Sequence, residues 1–494
     1  MRKNSKVRGI ATSAAAVLAV VLLIVGIAAG YVAGSATVAP RTTTVMQTRT
    51  VTSTATQTVA QTVTTTQTVG AGQTVTQTVT RTATQTVTQS VTQTVTATQS
   101  VTQTTTATRT VTATATAPSG LPEKVKIGVI LPLSGELGSI GVRMLYGSHI
   151  AAKIVNDSGG IGGRPVQIVA EDTAAVPDKA LDAVKKLVEV QGVQVIVGPA
   201  TSVEAATIAK YLNDRKVPAI SMSATAGALS NLAKQYGDTY FWRVVGSDNI
   251  QARALADIMK QKDFKRIVTF VVSNDYGIGM EQMILAQPGI KERVVLTIRY
   301  DPTKGDYRTE LEQVRAANPD VIFYALWVES GKIVFRQALD LGLDKIPTMG
   351  GEGMADEAFF ADSRAAEYMV KTGLFGTRPT YDPNTYSYQV FYNMHKKLYG
   401  GEPSLFADYT YDATMVAILA VGHAGAYEGA KIKNALALTG QYYIGATGMK
   451  ALDPSTGDLL SQDYLIWKVE LKDGKPTYNF NYGSWSLGAG VVWK

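Results

Sequence analysis

The chain has 494 residues and no cysteine, which excludes disulfides, thiolate metal sites, a cysteine nucleophile and lipid attachment at an N-terminal cysteine. Its net charge of +7 arises in the first 120 residues, which contain eight Lys or Arg and neither Asp nor Glu. The rest carries 39 basic and 40 acidic side chains, so no nucleic-acid surface is indicated, and its length suits two lobes.

The N-terminal arm begins with a candidate membrane anchor. After a basic flank at 1–9, Ile10–Ala33 is an uncharged apolar run of about 24 residues, long enough to cross a bilayer. We predict an anchor over 10–34 whose positive flank stays in the cytoplasm. A cleavable signal peptide is the alternative, because small residues occupy 32–36. The apolar run is long for a signal peptide, which favours an uncleaved anchor.

A low-complexity segment at 35–120 follows the predicted anchor. Its main part repeats Thr-Val-Thr-Gln, and every even position from Thr74 to Thr116 is Thr or Ser. Thr is a poor helix former, and this composition provides no apolar core. We therefore predict an extended stalk that suits O-glycosylation.

From residue 121 onward, predicted strands and helices alternate. Apolar runs predict strands in the first half at 125–131, 166–170, 195–197 and 218–220. The pattern restarts after Arg243, with predicted strands at 266–272, 294–300, 321–326 and 348–349, and a late strand at 463–471. This repetition predicts parallel sheets with helices on both faces.

The two halves predict an α/β protein whose two lobes face a cleft. The first lobe is predicted at 121–245 with a return segment at 377–442, and the second at 246–376 with a return at 443–494. We expect the crossovers between the lobes near 244–247, 375–378 and 440–447.

One stretch places polar residues where two neighbouring strands should end. Thr201 and Glu204 have the spacing of a capping box, which predicts a helix starting at Ser202. The first N–H groups of a helix lack internal partners and attract anions. The next strand delivers Ser223 and Thr225 to the same sheet edge, where ligands of parallel sheets bind. Spacing alone allows two interpretations about equally well. The residues could form a carboxylate or phosphate site, or their hydroxyls could only cap helices.

Several motifs together resemble one family. They are Ile127-Gly128-Val129 with Leu133-Ser134-Gly135, Gly159-Gly160-Ile161-Gly162-Gly163-Arg164-Pro165, Val197-Gly198-Pro199, Tyr276-Gly277, Tyr399-Gly400-Gly401-Glu402-Pro403 and Tyr411-Asp412-Ala413. In this order, over 123–494, the chain resembles the branched-chain amino acid solute-binding proteins of ABC transporters. The resemblance implies a type I periplasmic-binding fold: two lobes, each a parallel sheet flanked by helices, joined by a multi-crossover hinge.

The resemblance also implies the ligand contacts. The family's carboxylate-binding serine falls on Ser202, the backbone carbonyl that meets the ammonium on Ser223, and a hydroxyl for the carboxylate on Thr225. In the second lobe, the loop tyrosine falls on Tyr276 and the acid that pairs with the ammonium on Glu352. These five positions would hold an amino-acid zwitterion.

Two positions depart from a leucine-type pocket. Trp327 lies in the stretch that normally supplies a tyrosine contacting the ligand's side chain, and Ile140 stands where an aromatic residue is usual. Both departures leave the zwitterion contacts intact, but they leave the identity of the ligand's side chain open.

We expect a binding protein rather than an enzyme. The three histidines lack metal-ligand spacing, and the glycines at 159–163 precede a strand instead of a helix, so neither metal nor cofactor is predicted. The expected role is a receptor on the outer side of the cell membrane that hands a branched-chain or other hydrophobic amino acid to ABC permease subunits. Short amides or urea-like solutes are the alternative ligands. A sensor ectodomain is the alternative class, although only nine residues precede the predicted anchor.

Overall fold

The computed structural model describes residues 43–46, 58–69, 73–84 and 120–494, within two units that span 1–114 and 115–494. In the first unit, strands β1 (Thr43–Met46), β2 (Thr58–Val69) and β3 (Gln73–Thr84) form an antiparallel sheet. The predicted stalk therefore contains extended strands, but they fold back on one another, with Thr58 opposite Thr84. A hairpin covers less distance than the single extended segment that the composition suggested.

The predicted anchor at 10–34 and its basic flank lie outside the described residues. No helix among the residues that the structure describes is long and apolar enough to cross a membrane.

The first lobe of the second unit is built on a five-stranded sheet. Its strands are β4 (Val125–Leu131), β5 (Val166–Asp172), β6 (Ile196–Val197), β7 (Ala219–Ser221) and β8 (Phe241–Arg243). They run parallel in the order β5, β4, β6, β7, β8. The helices between them are α1 (Gly138–Asp157), α2 (Pro177–Lys185), α3 (Ser202–Arg215) and α4 (Leu232–Tyr236).

Both faces of this sheet are buried, as the continuous apolar runs predict for parallel strands. Because successive side chains of a strand point to opposite faces, neighbours enter different cores. Ile130 and Ile196 pack in one cluster with residues of α2 and α3, whereas Val129 and Val197 belong to the main core. The predicted parallel sheet flanked by helices is confirmed for this lobe.

The second lobe is built on an eight-stranded sheet. Its parallel strands are β9 (Ile267–Val272), β10 (Val294–Tyr300), β11 (Val321–Ala325), β12 (Thr348–Gly350) and β13 (Phe375–Pro379), in the order β10, β9, β11, β12, β13. A separate antiparallel pair, β14 (Ile444–Gly445) and β15 (Gly448–Met449), precedes β16 (Tyr464–Lys472), β17 (Lys475–Ser486) and β18 (Gly490–Trp493). The last three strands extend the large sheet antiparallel beyond β13, so the C-terminal strands belong to the second lobe.

The remaining helices divide between the lobes. Those between residues 248 and 371 are α5 (Asp248–Gln261), α6 (Asp275–Leu285), α7 (Arg308–Ala317), α8 (Val328–Asp340) and α9 (Ser363–Lys371). The later ones are α10 (Tyr386–Tyr399), α11 (Ala407–Ala424) and α12 (Gly429–Tyr442). Helices α10 and α11 pack on α1, so this part of the chain has returned to the first lobe.

The crossovers between the lobes differ in part from the predicted ones. The first lies at 244–247, between β8 and α5, as predicted. The second follows β13, so it comes just after the predicted 375–378. The third comes after Asp458 and not at 440–447, because Arg243 in β8 still pairs with Gly457 through its backbone N–H (3.0 Å) and with Asp458 through its side chain (2.8 Å). The first lobe therefore keeps the chain beyond the predicted boundary at 442/443.

Candidate functional site

A cavity lies between the two lobes, where the parallel strands of both sheets end. Together with the space that opens to solvent, it encloses about 580 Å³. Most of its wall is apolar. It is lined by Pro132, Leu137, Ile140, Met144, Ala200, Thr201, Ser202, Ser223, Tyr276, Leu326, Trp327, Glu352, Gly353, Leu405 and Phe406.

The capping box at the start of α3 forms one wall of the cavity. Glu204 accepts hydrogen bonds from the backbone N–H of Thr201 (2.9 Å) and from its hydroxyl (2.6 Å), while Thr201 Oγ1 accepts from Glu204 N–H (3.4 Å). Burial raises the pKa of Glu204, and these hydrogen bonds oppose the rise. The predicted helix start is confirmed, and Glu204 serves the cap instead of facing the cavity.

Two serines follow β6 and β7 at this wall. Ser202 Oγ accepts a hydrogen bond from the backbone N–H of Ala226 (3.1 Å), which joins the helix start to the loop after β7. Its hydroxyl hydrogen remains to be donated to a ligand. Ser223 Oγ donates to the carbonyl of Ala200 (2.8 Å), so its side chain is already engaged. The hydroxyl oxygen of Ser223 can still accept a hydrogen bond, but its hydrogen is not available to a ligand.

Thr225 differs from the expectation. It is fully buried and does not line the cavity, and its hydroxyl has no hydrogen-bond partner of good geometry. It lies behind the cavity wall, close to the carboxyl groups of Asp248 and Glu352, whose pKa values it lowers. The structure therefore directs Thr225 toward the acids and not toward a carboxylate in the cavity.

The second lobe supplies the opposite wall. Asn274 caps α6 by accepting from Gly277 N–H (3.0 Å), which places Tyr276 in the first helical turn. Trp327 is the residue before α8, and its backbone N–H donates to the hydroxyl of Tyr300 (3.1 Å). A β-carbon on Gly351 would lie 2.9 Å from the Tyr276 hydroxyl, so a larger residue at 351 would require the Tyr276 side chain to shift.

Two buried acids meet beside this wall. Glu352 is 2% exposed and Asp248, the first residue of α5, is fully buried. Burial raises the pKa of Glu352, while its own backbone N–H and the nearby side chains of Gln251, Tyr276 and Thr225 oppose the rise. Burial also raises the pKa of Asp248 well above its usual range, and the charge of Glu352 adds to that rise.

Within the described residues, no Lys or Arg forms a salt bridge with either acid. The positive charge of Arg243 acts on Asp248. Its guanidinium, however, donates to Asp458 (2.8 Å), to the carbonyls of Ala224 and Ala226 (3.2 and 3.1 Å) and to Ser230 (3.0 Å). Both oxygens of Asp248 and one oxygen of Glu352 have no hydrogen-bond partner of good geometry. A buried carboxylate without a partner is costly, so the arrangement suits a ligand that brings a positive charge.

Contacts between the lobes border the cavity. Arg143 of α1 forms a salt bridge with Asp356 of the second lobe (2.5 Å), and Asp356 also accepts from the backbone N–H of Leu405 (3.1 Å). Elsewhere Glu136 accepts from the backbone N–H of Ser330 (2.9 Å), at the start of α8. These three hydrogen-bonded contacts hold the lobes together around the cavity.

The structure thus brings together Ser202, Ser223, Tyr276, Trp327 and Glu352, places Thr225 behind them, and adds Asp248. In the sequence, Asp248 has the ordinary appearance of an acid in the first turn of a helix, where acids are common. The one signal in the sequence was its position: Asp248 directly follows Ser247, the last residue of the predicted first crossover.

Comparisons with known proteins agree with this fold. A sequence profile of the family described as periplasmic binding protein matches residues 124–475. A Leu/Ile/Val-binding protein homolog of Brucella melitensis is 26% identical over 241 residues, which cover 48% of this chain and 63% of the relative. An amino acid binding protein of Pseudomonas aeruginosa is 26% identical over 355 residues, which cover 70% of this chain and 91% of the relative.

Solved structures show the same architecture. A leucine binding protein of Thermotoga maritima superimposes with a TM-score of 0.64 at 25% identity, over 72% of this chain and 97% of that one. A branched-chain amino acid substrate-binding protein of Streptococcus pneumoniae, solved with isoleucine, superimposes with a TM-score of 0.62 at 23% identity, over 75% and 100%.

The fold and the cleft together define a two-lobed α/β binding protein of the type I periplasmic-binding class. The profile match over most of the globular part shows that the chain belongs to the periplasmic binding protein family. This is a family of binding proteins and not of enzymes. The alignment with the Brucella relative spans somewhat less than two thirds of that protein's length.

Proposed function

We propose that the chain is the extracellular solute-binding receptor of an ABC importer and captures an amino acid, branched-chain or otherwise hydrophobic, for delivery to the permease. The observation that carries the proposal is the buried acid pair without a protein cation, beside a mostly apolar cavity. An α-amino group would supply the missing positive charge. The wall at Ser202 would receive the carboxylate, and the apolar wall would receive the side chain.

The names of the relatives support the same ligand class. The Brucella protein is named a Leu/Ile/Val-binding protein homolog, and the Streptococcus protein was solved with isoleucine bound. Trp327 and Ile140 line the cavity here, so the side-chain preference is this chain's own property.

The test is a charge substitution at Glu352. Glu352→Gln keeps the shape of the side chain but leaves the ligand's ammonium without its anion, which typically costs about 2–5 kcal/mol at a buried pair. At about 1.4 kcal/mol per decade, calorimetric titration with L-leucine should show binding weakened roughly 30- to several-thousand-fold.

Glu281→Gln is the matched control. Glu281 is a buried acid of the same lobe, but it pairs with Arg299 (2.8 Å) and does not line the cavity. We expect this variant to bind L-leucine like the wild type. If acetamide or urea binds instead of any amino acid, and Glu352→Gln binds it equally well, the ligand is a neutral solute and the amino-acid proposal is wrong.

We also propose that residues 10–34 anchor the chain in the membrane and that 35–120 display the lobes outside the cell. The uncharged run beside four basic residues and the unbroken Thr and Ser positions support this topology. N-terminal sequencing of the protein from native membranes should begin at the start of the chain. A first residue beyond Ala33 would show that the segment is a removed signal peptide.

A further inference from the structure

We propose that Asp248 and Glu352 hold one proton between them and meet the ligand as a single negative charge, so that the site selects a solute with one ammonium group. The statement about the ligand rests on the proposed function, whereas the statement about the proton does not. Asp248 would be the protonated member, and Glu352 the ion partner.

The first step is the charge count of the pair. Both acids are buried and neither forms a salt bridge among the described residues, because the guanidinium of Arg243 is committed to four other acceptors. Two like charges confined without a cation cannot both persist, so one carboxyl group keeps its proton. A pair of this kind titrates as a unit.

The second step assigns the proton from the groups that face each acid. Glu352 lines the cavity, and only one of its two carboxylate oxygens is buried without a hydrogen-bond partner. Asp248 is approached by the hydroxyl of Thr225 alone, and both of its oxygens lack a partner of good geometry. The anion is therefore better solvated at Glu352.

The remaining titratable neighbours do not change this assignment. Tyr464 reaches the pair from β16, and Tyr276 reaches it from α6; burial and the charges of both acids raise the pKa of each phenol well above its ordinary value. Both phenols are therefore neutral near pH 7 and add no charge to the pair. The positive charge of Arg243 lowers the pKa of Asp248, but burial outweighs it.

The consequence for selectivity is electrostatic. A singly charged pair is neutralised by one ammonium, which leaves the closed cavity without net charge at that end. A fully ionised pair would instead favour a dication, and a fully protonated pair would favour a neutral amide. The shared proton therefore matches the site to a monoamine.

A ligand-free experiment tests the proton. An acid that stays protonated when folded but ionises when unfolded loses stability as pH rises above its unfolded pKa, which for Asp is about 3.9. Asp248→Asn has no such proton. In the full chain without ligand, its Tm should therefore rise relative to that of the wild type between about pH 4 and pH 7. A difference that is constant or shrinks with pH would overturn the proposal.

The Glu352→Gln variant tests whether the effect of Asp248→Asn depends on the charge of Glu352. Without the charge of Glu352, the advantage of Asp248→Asn at pH 7 should be clearly smaller in this background, and this comparison also serves if Asp248→Asn alone folds poorly. Equal advantages in both backgrounds would show that the two acids do not share a proton.

Binding then tests the assignment and the ligand separately. Calorimetry with L-leucine at pH 7 should show a loss for Asp248→Asn at least tenfold smaller than the loss for Glu352→Gln. Equal losses would mean that both acids are ionised and would overturn the assignment. If L-leucine does not bind the wild type but the pH series behaves as expected, the proposed function fails while the shared proton stands.

Discussion

The two walls of the cleft differ in the kind of polar group they present. The first lobe offers neutral donors, namely the hydroxyl of Ser202 and the start of α3, and Glu204 at that helix start is tied into the capping box. The second lobe offers Glu352 without a protein cation, and Asp248 stands beside it at the first crossover. Neutral donors can form hydrogen bonds with water when the ligand leaves, whereas a buried anion cannot regain its hydration. The two walls should therefore respond unequally when one end of a ligand is removed.

The largest effect is expected when the ligand loses its ammonium. L-Leucine without its amino group is 4-methylpentanoate. When this compound binds, the buried carboxylate of Glu352 has no positively charged partner. Such a loss typically costs about 2–5 kcal/mol, so we expect binding roughly 30- to several-thousand-fold weaker than that of leucine.

The matched probe is 3-methylbutylamine, which is leucine without its carboxyl group. It gives up hydrogen bonds to a charged group, worth about 1.5–3 kcal/mol, so its binding should weaken only roughly 10- to 150-fold. Calorimetry of both compounds shows which lobe contributes more to the binding free energy. If the amine binds more weakly than the acid, the comparison between the lobes is wrong.

A smaller effect is expected from Ser202→Ala, which removes one donor of the first lobe. The helix start still offers its backbone N–H groups, so binding of L-leucine should weaken about tenfold, near the lower end for a hydrogen bond to a charged group. The same substitution should leave 3-methylbutylamine unaffected, since that probe has no carboxylate. An equal loss for both compounds would mean that Ser202 acts on the fold and not on the ligand's carboxylate.

Local patterns predicted much of the molecule. The capping box of Thr201 and Glu204 involves residues three apart, so its geometry follows from the sequence itself. The apolar runs that became β4, β9 and β11 are continuous because both faces of their sheets are buried. The resemblance to a family added Tyr276, Trp327 and Glu352, which no spacing rule connects.

Long-range packing explains what the sequence did not show. Asp248 becomes part of the site only because its backbone N–H reaches Thr225 of the other lobe (2.8 Å) and because the folded chain buries it beside Glu352. The third crossover was misplaced for a similar reason. Asp412 accepts from Ala446 N–H (2.7 Å) and Thr447 N–H (2.9 Å), and so keeps that segment on the first lobe.

The contacts of Arg143 with Asp356 and of Glu136 with Ser330 also bear on how long a solute stays captured. Neither contact includes the ligand, so each lowers the free energy of the closed arrangement whether or not the cavity is filled. A solute between the lobes must wait until these contacts separate before it can diffuse away. Its residence time is therefore set partly at the rim, by residues that never touch it, and a substitution there can change the rate of release while the chemistry of recognition stays the same.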